Sequence, residues 1–268
     1  MTEQPQLSDV TLTMIVRDEL MNPAGGLHAV LSRHLPYFQN VVVLDTGSVD
    51  GTRQLLEQMA GENRQLKVYD TKFEGYGPAR NTANSHVKTK YTLMLDADEL
   101  FGSAESFTTE TRNKLELGTE TVALRVKMSA VYPSGHTLLL GCWNPRLFHQ
   151  KSARFVKNVW EDVVISKTLQ GGYQGYAELQ SLIYHFIPES ENWKTKNEEW
   201  YSLWREEQGI LPRPIYKGES PSQIRSFPIW KTPNPATLLQ YNIDVRTEIE
   251  ELDRMGLLLH PKIIEQLA

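Results

Sequence analysis

An α/β fold on a mostly parallel sheet is what the N-terminal part of this chain predicts, and three observations carry the prediction. Short apolar runs at Val10–Val16, Val41–Leu44, Leu66–Tyr69 and Tyr91–Leu95 alternate with stretches of helical periodicity. Each run is too short for a helix and reads as a buried strand. Acids follow the first, second and fourth of these runs: Asp18-Glu19, Asp45, and the group Asp96, Asp98 and Glu99. In an open α/β sheet that is the edge where ligands bind.

Taken in order, Val10–Val16 is strand one, with Arg17-Asp18-Glu19 at its carboxyl end. After the loop Asn22-Pro23-Ala24-Gly25-Gly26, residues Leu27, Val30, Leu31 and His34 recur at helical spacing, and Pro36 closes that helix. Strand two runs into Asp45-Thr46-Gly47-Ser48-Val49-Asp50-Gly51-Thr52. Leu55, Leu56 and Met59 mark the next helix, which Gly61 ends. After strand three, the loop Lys72–Pro78 leads to a helix opened by Pro78, whose missing N–H suits a first turn. Strand four, Tyr91–Leu95, follows. Strands alternating with helices this regularly imply parallel pairing through right-handed crossovers.

The middle is less regular. Val122–Met128 alternates as a half-buried strand, and Leu138–Leu140, Arg146–Phe148, Phe155–Ile165 and Leu182–Phe186 carry further strand character. From Ser190 the composition shifts. A charged helix with Trp193, Trp200, Leu203 and Trp204 as its apolar stripe precedes a proline-rich arm and a final amphipathic helix over Ala236–Met255. Two units are therefore expected, residues 1–190 and a C-terminal extension, 191–268. The extension could clasp a second subunit, giving a homo-oligomer, or cover an acceptor cleft.

With 40% apolar and 23% charged residues, the 268-residue chain has an ordinary globular composition. A net charge of −5 argues against a generic nucleic-acid coat. A single cysteine, Cys142, rules out an intrachain disulfide framework and suits a reducing compartment. The start is polar and no apolar run approaches a membrane span, so a cytoplasmic protein is expected.

Two aspartates one residue apart at a strand's carboxyl end can aim at one divalent cation, which can also hold a diphosphate. Ten aspartates in the chain would give such a spacing by chance about 0.4 times. The position carries the weight, not the triplet. Asp45-Thr46-Gly47-Ser48 has a plainer account as a turn and helix cap, Arg80 as a solvated helix residue, Glu161 as a surface acid and His185 as a core histidine. Their joint order along one sheet favours a site.

That order resembles the family-2 glycosyltransferases: MIVRDE, VVVLDTGSVDGT, GPARN and LMLDADE, followed by NPRLF, VWEDVV and IYHF, over roughly residues 8–190. The resemblance implies the GT-A fold, a Rossmann-like, mostly parallel sheet with helices on both faces. It implies an inverting, metal-dependent transfer of sugar from a nucleotide-sugar donor, most often UDP-linked. Carried over, Asp45 would accept a hydrogen bond from the base, with Val16, Asp18 and Glu19 lining that pocket. Arg80 would face the nucleotide or its diphosphate. Asp96 would lie near ribose and metal, and Asp98 with His185 would bind Mn²⁺ or Mg²⁺. Glu161 would be the base, with Asp162 as the alternative because Trp160 stands where the family commonly has histidine.

The acceptor stays open. His149, Lys151, Arg154 and Lys157, interleaved with Phe148, Phe155 and Trp160, suit an anionic or nucleic-acid acceptor, or else a solvated loop over packed aromatics. A nucleotidyl or phosphoryl transferase would want a glycine-rich loop after strand one, where Arg17-Asp18-Glu19 stands. A non-catalytic sugar-nucleotide-binding module is the rival from another class.

Overall fold

The computed structural model describes residues 6–116, 123–131, 137–156, 162–165 and 176–186. The expected C-terminal extension, 191–268, lies outside the described residues.

The predicted alternation is present. Strands β1 (Leu7–Val16), β2 (Phe38–Asp45), β3 (Leu66–Asp70) and β4 (Tyr91–Met94) are joined by helices α1 (Leu27–His34), α2 (Thr52–Glu62) and α3 (Tyr76–Ser85). They pair in parallel in the order β3-β2-β1-β4. The sheet then continues through β7 (Thr137–His149), β6 (Ala123–Val131) and β10 (Tyr176–Phe186) to β5 (Glu99–Phe101) at the far edge. A separate hairpin, β8 (Ala153–Val156) with β9 (Asp162–Ile165), stands beside it.

The pleat sorts each strand between two layers. Leu12, Met14, Val16, Val41 and Val43 face the main core with Leu27, Leu31 and Leu56, from α1 and α2. Ile15 and Leu44 face the opposite side, packed with Ala79 and Ala83 of α3. Helices therefore cover both faces. The second face also holds Met94, Phe148 and Phe155, which ties β4 and β7 to the β8 strand.

Several elements differ from the sequence reading. Leu138–Leu140 and Arg146–Phe148 are parts of one strand, β7, antiparallel to both β4 and β6. Helix α3 begins at Tyr76, two residues before Pro78, which still sits in the first turn where no N–H is missed. Gly61 lies inside α2, not beyond it. Helix α4 (Ala104–Glu116) escaped notice because two of its four buried residues are threonines, Thr108 and Thr111, which blunts the apolar stripe.

One buried polar side chain gives a pH prediction. His34 is fully buried, edge-on to Phe101 with ring centroids 4.8 Å apart. Burial, reinforced by the neighbouring Arg33 charge, lowers its pKa to about 3. The unfolded chain, with an ordinary histidine, binds that proton near pH 6.5. Between these two values the unfolded state holds more protons, so stability falls as pH falls. At pH 5 the histidine alone costs about 2 kcal/mol relative to neutral pH. His34→Phe should remove that component, so the gap in unfolding free energy between variant and wild type should shift by this amount between pH 7.5 and pH 5. A constant gap would refute it.

Candidate functional site

At the carboxyl edge of the sheet, the loops after β1 and β2 are joined by a dense set of hydrogen bonds. The Val16 carbonyl accepts from the Thr46 N–H at 3.0 Å and the Thr46 hydroxyl at 3.1 Å. Among the described residues, Asp18 is the one non-glycine with positive φ, 55°, a conformation aspartate tolerates better than most. Its N–H donates to Ser48 Oγ, and its Oδ1 accepts from the Val49 N–H at 2.7 Å and the Asp50 N–H at 3.3 Å. The Glu19 N–H donates to Thr52 Oγ1, and the Leu20 N–H to Asp50 Oδ2. The second half of the D-T-G-S-V-D-G-T segment thus holds the Arg17-Asp18-Glu19 loop in place. Val16 turns its side chain into the core, so only its backbone faces this edge.

Asp45 is 2% exposed and splits its two oxygens. Oδ1 accepts from the N–H groups of Gly47 and Ser48, each at 2.7 Å. Oδ2 is buried with no hydrogen-bond partner. The turn-and-cap account of Asp45 covers one oxygen and leaves a buried acceptor over. Such an atom is costly unless something donates to it.

The acidic segment after β4 lies in a run of alternating charges. Arg80, 4% exposed, forms a close ion pair with Asp96 and donates to the Leu95 carbonyl. Its guanidinium therefore meets a carboxylate of the site. Arg146 from β7 stands on the other side of Asp96, 3.9 Å away, and bonds Glu99 at 2.5 Å. Glu99 is fully buried, and its Oε2 accepts from the Asp96 N–H. His185 sits opposite Glu99 in the β10–β5 register. Its Nδ1 lies 3.7 Å from Glu99 Oε1, and its Nε2 lies 3.7 Å from Asp98 Oδ2.

The titration of these groups follows from that arrangement. Burial would raise the Asp96 carboxyl, but Arg80 and Arg146 outweigh it and hold Asp96 well below the usual range. Burial pushes Glu99 up to about 7, with Arg146 pulling the other way. For His185, burial opposes the charged form, and Asp98, Glu99 and Asp96 together overcome it and raise the pKa.

Asp98 and His185 could hold a cation. Ligand atoms about 2.1 Å from an ion stand roughly 3.0 Å apart when adjacent and 4.2 Å when opposed, which brackets the observed 3.7 Å. Among the described residues no group of three or more His, Cys, Asp or Glu could do so. Two protein ligands are too few for tight binding alone but suit a magnesium-type site completed by phosphate oxygens.

Helix α3 links this cluster to the β8–β9 hairpin. Asn81, next to Arg80, pairs its carboxamide with both backbone groups of Phe155: Nδ2 to the carbonyl at 2.8 Å, and Oδ1 from the N–H at 2.9 Å. One turn on, Asn84 and Gln150 exchange side chain-to-carbonyl bonds at 3.2 Å each. Asp162 opens β9 opposite Val156, but its side chain and the whole of Glu161 lie outside the described residues. In the basic aromatic stretch, Phe148 and Phe155 are buried edge to face at 5.8 Å, so these two rings are core. Lys151 and Arg154 are exposed.

Sheet topology read from the sequence gathered Glu19, Asp45, Arg80, Asp96 and Asp98 at one edge, and the family resemblance added His185; the structure brings Arg80, Asp96, Asp98 and His185 into one cluster. Sequence reasoning gave no role to Glu99 or Arg146. The signal for Arg146 was an arginine flanked by apolar strand residues in N-P-R-L-F, since a charge facing a core needs a buried partner.

Comparison with known proteins supports the family read from the motifs. Residues 24–103 match the model of Glycosyl transferase family 2. The chain is 30% identical over 97 residues to the putative teichuronic acid biosynthesis glycosyltransferase TuaG of Bacillus subtilis (strain 168), covering 36% of this chain. The match spans only 37% of that relative's length. The mannosyltransferase PcManGT from Pyrobaculum calidifontis, solved in complex with GDP-Man and Mn²⁺, shares the fold with a TM-score of 0.51. That match has 17% identity and covers 97% of this chain and 78% of that one. S. aureus TarS 1–349, solved in complex with UDP-GlcNAc, has a TM-score of 0.47 at 14% identity, over 95% of this chain and 77% of that one. Among the described residues no helix is long and apolar enough to cross a membrane.

Proposed function

We propose that this chain is a family-2 glycosyltransferase that moves a sugar from a nucleoside-diphosphate sugar, with inversion and with the help of Mn²⁺ or Mg²⁺. The observation that carries the proposal is the meeting of Asp98 and His185, distant in sequence, at 3.7 Å beside the carboxyl end of β4. The unpaired Oδ2 of Asp45 lies at the carboxyl end of β2 in the same sheet. One edge thus offers an acceptor for a base N–H and a pair of cation ligands, the two ends of a nucleoside diphosphate.

Each residue then has a task. Asp45 accepts from the base, with the Asp18-Glu19 loop as the wall beside it. Asp98 and His185 would hold the cation, and the chemistry supplied there would be neutralisation of the departing diphosphate's charge. Arg80 and Arg146 keep Asp96 ionised and fixed, so that a negative group stays near the ribose and cation. Glu161, or Asp162 in its place, takes the acceptor's proton from the far side of the sugar, and attack from that side inverts the anomeric centre. The Asn81–Phe155 pairing anchors the hairpin from which both acids come.

Uridine diphosphate is the expected nucleotide, and guanosine diphosphate is kept as the second because the Pyrobaculum relative was solved with a guanosine sugar. The test is thermal unfolding with UDP, GDP, CDP and dTDP, each with and without Mn²⁺. A nucleotide at 100 times its dissociation constant should add about 2.7 kcal/mol, a rise of several degrees. The rise should need Mn²⁺ and be lost in Asp45→Ala. No rise with any nucleotide would favour a non-catalytic role for the fold.

A further inference from the structure

We infer that Asn22, in the loop after β1, is a positioning residue for the D-x-D turn: its carboxamide fixes the peptide that sets the direction of Asp98. The inference rests on the metal-binding role proposed above for Asp98. Asn22 Nδ2 donates to the Ala97 carbonyl at 2.7 Å, and Asn22 Oδ1 accepts from the Ala24 and Gly26 N–H groups, each at 3.0 Å. The amide thus spends its oxygen on its own loop and its nitrogen on the turn between the two aspartates.

The loop is shaped to hold it there. The Gly25 N–H donates to the Asn22 carbonyl and the Leu27 N–H to the Glu19 carbonyl, both at 3.0 Å. Gly25 and Gly26 have φ of 94° and 92°. A Cβ on Gly26 would stand 2.6 Å from the Leu20 carbonyl oxygen, so the backbone packs too closely there for a side chain.

The Ala97 carbonyl is a telling place to hold. It belongs to the planar peptide between Ala97 and Asp98, so turning it changes φ of Asp98 and swings that side chain. Ala97, with only a methyl group, offers no polar hold of its own. Asp96 is fixed separately by Arg80 and Arg146, whereas among the described residues the ionic partner of the Asp98 carboxylate is His185 at 3.7 Å. On the far side, the Asp98 carbonyl accepts from the Phe186 N–H at 2.9 Å. Asn22 and Phe186 therefore grip the peptides before and after Asp98, one from each side of the site.

The test compares wild type, Asn22→Asp and Asn22→Ser as full-length chains. Aspartate keeps the oxygen that the loop amides need but faces the Ala97 carbonyl with an acceptor. Serine can cap the loop amides but is too short to reach Ala97. Mn²⁺ binding in the presence of UDP, and separately of GDP, is followed by electron paramagnetic resonance, and unfolding of the metal-free protein by circular dichroism. Both variants should fold and should bind Mn²⁺ about 10- to 100-fold more weakly, the range for losing a group that orients a ligand. Any loss of turnover should be restored by excess Mn²⁺, which a purely structural defect would not allow. A folded variant that binds Mn²⁺ within about twofold of wild type overturns this inference alone. Wild type that binds no Mn²⁺ with either UDP or GDP overturns the metal role of Asp98 and this inference with it.

Discussion

Replacing Arg146 with methionine should lower the stability of the fold by about 3–5 kcal/mol, the usual cost of removing one partner of a buried ion pair. Arg146 is 7% exposed and bonds the fully buried Glu99 at 2.5 Å, with Asp96 3.9 Å away. Methionine fills much of the same space and leaves the main apolar contacts in place, so the loss is electrostatic. Glu99 would then stand in the core without its cation, next to another carboxylate. It can escape only by taking up a proton, so the deficit should shrink as pH falls. Arg146→Lys should fall between, because an ammonium cannot span two carboxylates as a guanidinium fork does. Adding Glu99→Gln to Arg146→Met should recover part of the loss by removing the stranded charge. Chemical denaturation of the four proteins at pH 8 and pH 6 measures all of this. An Arg146→Met protein as stable as wild type at pH 8 would mean that Glu99 is neutral in the native state and the pair contributes nothing.

That pair marks where the sequence stopped being legible. The parallel half of the sheet could be read because its strands are continuous apolar runs and its helices show clear stripes. The acids at its carboxyl edge could be read because topology alone puts strand ends together. Glu99 and Arg146 were harder because their meaning is a contact. Glu99 comes a few residues after β4 and Arg146 lies in β7, and the two come together where those strands pair antiparallel. Asn81 and Asn84 were invisible for a similar reason. Asparagine on a helix reads as solvated, and nothing local says that an amide will pair with the backbone of Phe155 or Gln150. His185 could be placed only through the family resemblance carried by I-Y-H-F, since its register opposite Glu99 is a contact between distant strands. Helix α4 was missed because threonines stand at positions where its stripe would need leucine.

Asp98→Ala is the substitution expected to cost most in turnover with little cost in stability. Removing a group that stabilises developing charge at a preorganised site commonly costs about 10²- to 10³-fold in rate, roughly 3–4 kcal/mol of barrier. Asp98 differs from its neighbours in how little of the fold rests on its side chain. Asp96 carries two arginines and Glu99 carries one, whereas among the described residues the ionic partner of the Asp98 carboxylate is His185, at 3.7 Å. Its structural bond, from the Phe186 N–H, goes to the backbone carbonyl and survives truncation. The melting temperature of the metal-free protein should therefore stay close to wild type. UDP should no longer raise it more with Mn²⁺ than without. Asp96→Ala is the contrasting case: it takes the buried carboxylate away from Arg80 and should lower activity and stability together. Once a donor sugar and acceptor are identified, product formation by Asp98→Ala under saturating Mn²⁺ decides the matter. Loss of turnover with the fold intact supports a cation held by Asp98 and bridged to the diphosphate. Turnover near wild type would transfer the role of charge neutralisation to Arg80 and Arg146, the two cations already gathered around Asp96.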